Sequence, residues 1–330
     1  MVSKYFKIFI GVLIAVFCIM IVNDELRPPE KKVSVTIELG VQDSVNSALA
    51  IIAKQRGLFA KHGLRANFKV FESDESSLKA LIDNEVQVAF SSTIPFVIES
   101  FEHDDLRLLA GTGFTDKAHV VLVKKADERS MPSDLEGQIV GTVNDSAVSI
   151  FLRIFIKIHN IPNVKVEYYD EDELVAKFEK GEVDAIAIRA EKYEEMARET
   201  EQDLDVFTPD FFRLYGILAS KKESVTQKKE ALQRFVKALV EAEKFIYRNP
   251  VRSKKVIFEY FGVGRKESIA KEWESYRYII SLGESLLLAL ESAQRLYKEE
   301  AKEEKSVRFL PLIDTEILRK EKPYGVTIRQ

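Results

Sequence analysis

The chain has 330 residues, of which 46% are hydrophobic and 31% are charged, and it contains a single cysteine, Cys18. This length predicts two domains, or one domain in two lobes, and the composition excludes a disordered or collagen-like chain. One cysteine excludes an intramolecular disulfide framework and any metal site built from several cysteines. The formal net charge of -4 gives no support to a nucleic-acid partner, which would need a basic surface.

The N-terminal segment differs in character from the rest of the chain. It begins with Lys4 and Lys7, and residues 8–22 then contain no charged side chain. Starting from Tyr5, this run approaches the roughly 17–20 apolar residues that cross the core of a bilayer. Because the lysines precede it, the body of the protein is expected to face the periplasm or the cell exterior. We therefore predict a membrane anchor or signal segment and linker over residues 1–32.

Three fates are open to this segment: cleavage, lipidation at Cys18, or retention as an anchor. No cleavage site with small residues in the A-x-A pattern stands out between Ile19 and Lys32. Phe17 directly precedes the cysteine, at a position where a bacterial lipobox has a small residue. We therefore favour an uncleaved anchor, with a lipid-modified Cys18 as the second possibility.

The body alternates predicted strands and helices in two successive runs. Alternating apolar and polar residues predict strands, and apolar residues at helical spacing predict helices. In the first run, strands are predicted at residues 33–39, 67–71, 86–90, 106–110 and 120–123, and helices at residues 46–62, 75–82 and 95–101. In the second run, strands are predicted at residues 138–143, 164–168, 183–188 and 214–220, and helices at residues 147–159, 171–179 and 191–198. Two such runs indicate two α/β lobes with mostly parallel sheets flanked by helices.

After residue 220 the chain is predicted to be almost wholly helical. Apolar residues form one stripe along residues 227–248, and Asn249-Pro250 ends this helix. Further helices are predicted over residues 254–260, 266–280 and 284–302. Trp273 falls within the helix predicted at residues 266–280, and we expect it to pack in the core.

The ends of the predicted strands carry the residues that we expect to bind a ligand. In open α/β sheets, ligands bind beyond the carboxyl ends of strands, often at helix N-termini. Small hydroxyl and amide side chains recur at these ends, and one end carries a cation. The candidate ligand-binding residues of this set are Gln42, Ser44, Ser91, Ser92, Thr93, Asn144, Ser146 and Arg189. Each small polar residue alone could be a simple helix cap, so their recurrence is the observation that indicates a site.

Arg189 is the sharpest single candidate. It follows the apolar run at residues 183–188, so its guanidinium is expected to emerge where a buried strand ends. An arginine there can hold a carboxylate, sulfonate or phosphate through two parallel hydrogen bonds. The alternative is a salt bridge to Glu191 or Asp145.

Signals for catalysis or metal binding are weak in this sequence. The histidines His62, His103, His119 and His159 lie in separate segments, without the spacing of paired metal ligands. The sequence has no G-x-S-x-G elbow, no P-loop and no G-x-G-x-x-G that opens a helix. We therefore predict a protein that is not an enzyme and has no catalytic residues, no cofactor and no metal site.

A string of short segments resembles a known family, the substrate-binding proteins of ABC transporters for nitrate, sulfonates, taurine and thiamine-pyrimidine precursors. The segments share the order and spacing found in that family. They are residues 53–59 (AKQRGLF), 63–64, 86–95, 134–141 (DLEGQIVG), 178–185 (FEKGEVDA), 215–217, 242–246 and 249–250.

The resemblance implies a two-lobed, type II periplasmic-binding fold with a ligand in the cleft between the lobes. Residues 33–117 and 216–330 would form the first lobe, and residues 118–215 the second. Phe114 would supply an apolar wall of the cleft. The implied partners are a small-molecule ligand, a permease and its ATPase, with the N-terminal segment tethering the protein to the membrane.

We therefore predict an extracytoplasmic solute-binding protein, and the Arg189 argument predicts that its solute is anionic. One alternative is a membrane-tethered sensor or interaction module that keeps the fold without transport. Another is an enzyme of thiamine-pyrimidine or menaquinone precursor synthesis, which the anchor and the scattered histidines disfavour. The identity of the solute and the oligomeric state are left open by the sequence.

Overall fold

A computed structural model describes residues 35–125, 130–144, 146–199, 203–208 and 213–329. The predicted anchor and linker at residues 1–32, with Cys18, lie outside the described residues, and so does Asp145. No helix in the described ranges combines the length and the apolar character that a membrane crossing requires.

Strands of two sheets are described. In chain order they are β1 (Val35–Gln42), β2 (Leu64–Phe71), β3 (Val88–Ser92), β4 (Leu106–Thr115), β5 (His119–Lys124), β6 (Ile139–Val143), β7 (Lys165–Tyr169), β8 (Ala185–Arg189), β9 (Leu204–Phe207), β10 (Leu214–Lys221) and β11 (Tyr276–Arg277). One sheet has the order β11-β4-β10-β3-β1-β2, and the other has the order β7-β6-β8-β5-β9.

The α-helices cover these sheets. In chain order they are α1 (Ala48–Gln55), α2 (Leu58–Lys61), α3 (Asp74–Ile82), α4 (Thr93–Glu99), α5 (Ala147–Ile158), α6 (Glu171–Lys180), α7 (Ala190–Glu199), α8 (Lys222–Gln227), α9 (Lys229–Arg248), α10 (Pro250–Phe261), α11 (Lys266–Ser275), α12 (Glu284–Ala301) and α13 (Thr315–Glu321). We call the six-stranded sheet with α1–α4 and α8–α13 the first lobe, and the five-stranded sheet with α5–α7 the second lobe.

The sheets are mixed, where the sequence led us to expect mostly parallel ones. β1 is parallel to β2 and β3, and β6 is parallel to β7 and β8. In contrast, β10 is antiparallel to β3 and β4, and β5 is antiparallel to β8 and β9. The difference arises where the chain changes lobes, because β4 continues into β5 through residues 116–118. Each antiparallel pair contains one of the strands at which the chain changes lobes, β4, β5 or β10.

The chain crosses between the lobes a second time before β10. The predicted boundary at residues 117 and 118 falls between β4 and β5, and the boundary at residues 215 and 216 falls inside β10. The exact limits of the lobes therefore stay a prediction, whereas the assignment of each strand to a sheet is observed.

Both faces of the second sheet are buried, each by a different helix layer. Successive side chains of a strand point to opposite faces. Val121 and Ala187 belong to a cluster with α5, whereas Leu122 and Ile186 belong to a separate cluster with α6. Because neither face of such a sheet meets water, successive residues of a strand are apolar, as residues 185–188 of β8 are.

In the first lobe, α9 confirms the apolar stripe predicted for it. Leu232, Phe235 and Val236 are fully buried, and the Phe235 ring stacks on Phe59 with 5.3 Å between ring centroids. Burial of each such side chain contributes about 1.5–3 kcal/mol. This packing holds α9 against the helices that follow β1.

Two predicted helices differ from the observed ones. The helix predicted at residues 46–62 is divided into α1 and α2, because Gly57 adopts a left-handed conformation with φ of 65°. Gly63, which follows α2, is also left-handed, with φ of 69°, as is common where a helix ends. The helix predicted at residues 266–280 ends at Ser275, because Tyr276 and Arg277 pair with β4. This early end places Tyr276 at the cleft.

Candidate functional site

A cavity of about 460 Å³ lies between the two lobes. Strands β1 and β3 of the first lobe and β6 and β8 of the second lead into it with their carboxyl ends. This edge of the sheets is where ligands bind in open α/β folds. Part of the wall is apolar and consists of Val45, Ala118, Val143, Ala147, Val148, Ala190 and Leu214.

Six of the residues predicted from the strand ends line this cavity. They are Gln42, Ser44, Ser92, Asn144, Ser146 and Arg189. The structure therefore brings together side chains that are far apart in sequence and come from both lobes. Their role in binding stays a prediction.

The other three predicted residues lie elsewhere. Ser91 is fully buried, and its Oγ donates a hydrogen bond to the backbone oxygen of Asp74 over 2.9 Å. Thr93 lines a second cavity of about 630 Å³ beside α5 and α12. Phe114 packs on Tyr215, with 5.5 Å between ring centroids, and the Arg213 guanidinium lies 4.3 Å from its ring centre. None of the three lines the interlobe cavity, and their role in binding also stays a prediction.

Two of the six lining residues act as helix caps. Ser44 Oγ accepts a hydrogen bond from the backbone nitrogen of Asn46, and Ser146 Oγ accepts one from the backbone nitrogen of Ser149. Gln42 is almost fully buried, and its Nε2 donates to the backbone oxygen of Phe90 over 2.7 Å. These hydrogen bonds fix the backbone around the cavity, which agrees with the capping alternative for the serines.

Arg189 is bound to a carboxylate of its own chain. Its Nε lies 3.1 Å from Glu171 Oε1, and its Nη2 lies 2.7 Å from Glu171 Oε2. Glu171 is the first residue of α6, and it differs from the partners considered from the sequence, Glu191 and Asp145. Burial works to lower the pKa of Arg189, but the hydrogen bonds and charge of Glu171 raise it. The guanidinium stays charged, and Glu171 already balances that charge.

A hydrogen-bonded chain of three side chains forms one wall of the cavity. Tyr276 Oη donates to Asn46 Oδ1 over 3.0 Å, and Asn46 Nδ2 donates to Asp74 Oδ1 over 3.1 Å. Gly216 makes this arrangement possible, because a Cβ at that position would clash with both Tyr276 Oη and Asn46 Oδ1. The chain connects β11, the turn after β1 and the start of α3, so it links three distant parts of the first lobe.

Three carboxyl groups in the cavity have raised pKa values. Burial raises the pKa of Asp74 to about 7, and the charge of Glu75 adds to the rise. Burial raises the pKa of Glu272 to about 8, and the charge of Glu191 adds to it. Burial also raises the pKa of Glu191 itself, against the opposing charge of Arg189. Carboxyl groups with shifted pKa values in a cleft are characteristic of functional sites, although ion-pair networks with a structural role also shift pKa values.

Glu191 faces these carboxyls across the cleft. It lies near the start of α7 in the second lobe, whereas Asp74 and Glu272 belong to the first lobe. Its charge raises the pKa of both, so Glu191 lies within electrostatic range of each of them. The two lobes therefore present acidic side chains to each other at the cavity.

His119 contributes a neutral ring to the wall. It is 4% exposed, and burial lowers its pKa to about 3, with the charge of Arg189 acting in the same direction. Its ring lies 5.3 Å from that of Phe151, between centroids. A neutral imidazole adds no positive charge to the cavity at physiological pH.

Sequence reasoning missed several cavity residues, among them Asp74, Glu272 and Tyr276. Asp74 had a usable signal, because residues 72–75 place three acidic side chains directly after β2. Glu191 was considered only as a partner for Arg189. Glu272 and Tyr276 had no local signal, since they reach the cavity from far along the chain and from an element predicted as a longer helix.

Comparison with known proteins identifies the family of this chain. The model of the NMT1/THI5-like family matches residues 44–253, which is more than half of the chain. The chain belongs to this family. A relative from Brucella abortus (strain 2308), named as a binding protein, is 22% identical over 248 residues. The match covers 71% of this chain and 75% of that relative.

Two solved structures show the fold. The periplasmic aliphatic sulphonate binding protein SsuA from Escherichia coli has a TM-score of 0.70 at 17% identity, over 87% of this chain and 93% of its own. The alkanesulfonate-binding protein SsuA from Xanthomonas axonopodis pv. citri, bound to MOPS, has a TM-score of 0.66 at 18% identity, over 84% and 98%. Together with the family match, they confirm the predicted resemblance and the periplasmic-binding-protein fold.

Proposed function

We propose that this protein is an extracytoplasmic solute-binding protein that captures a small solute between its lobes and delivers it to an ABC transporter. The observation that carries the proposal is the cavity of about 460 Å³ enclosed by strand ends of both lobes. Cavities of about 300–1,000 Å³ suit small organic ligands. The sulfonate-binding proteins of the same fold, named above, support this reading.

Capture by closure of the lobes is supported by contacts that bridge the cleft. Lys271 Nζ of α11 lies 2.6 Å from Glu194 Oε2 of α7. Lys157 Nζ of α5 lies 3.3 Å from Glu299 Oε2 of α12. Residues 116–118 are a connection between the lobes about which they could open. A permease with its ATPase would then recognise the closed form, and residues 1–32 would tether the protein to the membrane.

The chain carries a reporter for solute binding close to the cavity. Trp273 is its only tryptophan, and its ring lies 4.7 Å from that of Tyr278, between centroids. Tyr278 Oη donates to the backbone oxygen of Val45, which lines the cavity. Solute binding is therefore expected to change the fluorescence of Trp273.

The test uses the full chain in detergent, incubated with a mixture of organic acids, sulfonates, amines and neutral metabolites. Native mass spectrometry is expected to show a one-to-one complex with one of them, and that solute should shift the Trp273 fluorescence. Ala190→Phe, which fills the cavity, should abolish both signals. Ala301→Phe, at an exposed position of α12, is the matched control and should preserve them. No complex with any solute would contradict the proposal.

Two alternatives give different results in the same experiment. A solute recovered with a changed mass would favour an enzyme, whereas an unchanged mass supports binding alone. Co-purification of a permease and ATPase with the full chain supports delivery to a transporter. Solute binding without such partners would favour the membrane-tethered sensor.

A further inference from the structure

The charges of the cavity wall are mostly negative. Two lining side chains, Lys117 and Arg189, carry positive charge. The acidic residues that line the same cavity are Asp43, Glu72, Asp74, Glu75, Glu171, Glu191 and Glu272. A solute that enters the cleft therefore meets an excess of carboxyl groups.

Ion pairs within the chain neutralise two of these carboxylates. Arg265 pairs with Asp43, and Arg189 pairs with Glu171. The remaining carboxyls make no ion pair among the described residues, and Lys117 is the one cation of the lining that is not already paired there. The lining therefore has more unpaired acidic side chains than unpaired cations, and a positively charged group of a ligand would offset this excess.

A second observation points to a hydrogen-bonding ligand at the same place. Ser92 is 1% exposed and lines the cavity, yet its Oγ has no hydrogen-bond partner in the part of the chain that is described. Its hydroxyl lies near the Asp74 carboxyl and lowers the pKa of that group, but the two do not form a well-aligned hydrogen bond. A buried hydroxyl without a partner is costly, so a ligand group at this point would satisfy it.

We propose that the solute is an organic amine whose protonated nitrogen binds between Asp74, Glu272 and Glu191, with the Ser92 hydroxyl as an additional partner. This inference rests on the proposed function and names the class of solute for the same cleft. An ammonium group donates several hydrogen bonds, and its positive charge favours the ionised form of these carboxyls, which it then balances. The apolar wall that includes Val45 and Val148 would contact the hydrocarbon part of the amine.

The geometry favours an amine over a metal ion and over an anion. No three His, Cys, Asp or Glu side chains in the described ranges converge closely enough to hold a metal ion. A sulfonate or carboxylate would enter beside the unpaired carboxylates of Glu72 and Glu75, and like charges at close range repel. Arg189, predicted from the sequence to attract an anion, is already bound to Glu171 through two hydrogen bonds.

The test titrates the full chain in detergent with spermidine, putrescine and tyramine, and in parallel with taurine, ethanesulfonate and a neutral sugar. We expect at least one amine to bind, seen as a rise in the unfolding temperature and a change in Trp273 fluorescence. Glu272→Gln and Asp74→Asn should each weaken that binding at least tenfold, because an amide has nearly the same shape but cannot ionise to balance a bound ammonium group. Glu136→Gln, an exposed acid outside the cavity, is the matched control and should change the affinity less than twofold.

The possible outcomes separate the amine proposal from the proposed function. Binding of a sulfonate that Arg189→Ala abolishes overturns the amine proposal but leaves solute binding intact. Binding of a neutral solute alone does the same. If no amine binds, the amine proposal fails, and if no solute of any class binds, the proposed function fails with it. Amine binding that Glu272→Gln and Asp74→Asn leave unchanged would also overturn the assigned site.

Discussion

The carboxyl of Asp74 lies at the first residue of α3, where the helix dipole would normally favour its charged form. Burial outweighs that effect and raises its pKa to about 7, and the charges of Glu75 and Glu191 act in the same direction. A carboxyl whose pKa is higher in the folded state than in the unfolded state binds protons more tightly when folded. Its contribution to stability is therefore full below the unfolded pKa and is lost as the pH rises through about 7.

Asp74→Asn is expected to remove this pH dependence. At about pH 3 the variant and the wild type should have similar stability, because Asp74 is then protonated in both the folded and the unfolded state and resembles an amide. At about pH 8 the variant should be more stable by at least about 1 kcal/mol, since an amide carries no buried charge. Thermal unfolding of both proteins at the two pH values measures the difference. Asp104→Asn, at an exposed site, is the control, and equal shifts in both variants would contradict the prediction.

Arg189 and Glu171 form a partly buried pair, so removal of one partner leaves the other uncompensated. Their side chains are 38% and 26% exposed. Arg189→Ala should lower the free energy of unfolding by about 1–3 kcal/mol, and adding Glu171→Ala should recover most of that loss. Denaturant unfolding of the two single variants and the double variant measures the coupling. Strictly additive effects would show that the pair is not an energetic unit.

Some residues of the site could be predicted from the sequence, because the signal for them lies in the residues next to them along the chain. Arg189 ends β8 and Ser92 ends β3, so both positions could be predicted from the run of apolar residues before them. The partners could not be read in this way. Glu171 meets Arg189 from α6, and Glu272 meets Val45 from α11, so each contact depends on how whole elements pack.

At the scale of elements, the backbone of β10 at Gly216 packs against the side chains of Tyr276 and Asn46, which are hydrogen-bonded to each other. Gly216→Ala would place a methyl group where Tyr276 Oη and Asn46 Oδ1 lie. Since overpacking of this kind costs about 1–3 kcal/mol, we expect a destabilisation in that range and loss of solute binding. Unfolding curves and Trp273 fluorescence titrations measure the two effects. Gly264→Ala, with no atom within 4 Å of its Cβ position, is the matched control and should affect neither.

Elements with a strong periodic pattern were predicted better than those set by pairing. The stripe of α9 and the apolar run of β8 give a clear signal, because one face or both faces are buried. β11 has two residues and is a strand only because β4 lies beside it. No local pattern distinguishes such a strand from the last turn of a helix, so Tyr276 was predicted to be helical.

At the scale of the whole molecule, closure of the cleft balances repulsion inside it against attraction at its edge. Glu191 of the second lobe faces Asp74 and Glu272 of the first, so like charges oppose closure whenever these carboxyls are ionised. Outside the cavity, Lys271 of α11 attracts Glu194 of α7. A ligand that neutralises the carboxyls and a salt bridge that joins the rims therefore act in the same direction.

Lys271→Glu tests this balance by reversing the charge at one rim. The side chains of Lys271 and Glu194 are 56% and 24% exposed, and such pairs contribute about 0.2–1 kcal/mol. The variant should therefore bind solute several-fold more weakly and show a larger radius of gyration in small-angle X-ray scattering, with little change in unfolding temperature. Lys255→Glu reverses a charge within the first lobe and should leave both quantities unchanged. Adding Glu194→Lys to Lys271→Glu restores an ion pair of opposite polarity, so it should recover the compact form and the affinity. A double variant that stays open and weak would show that this contact does not control closure.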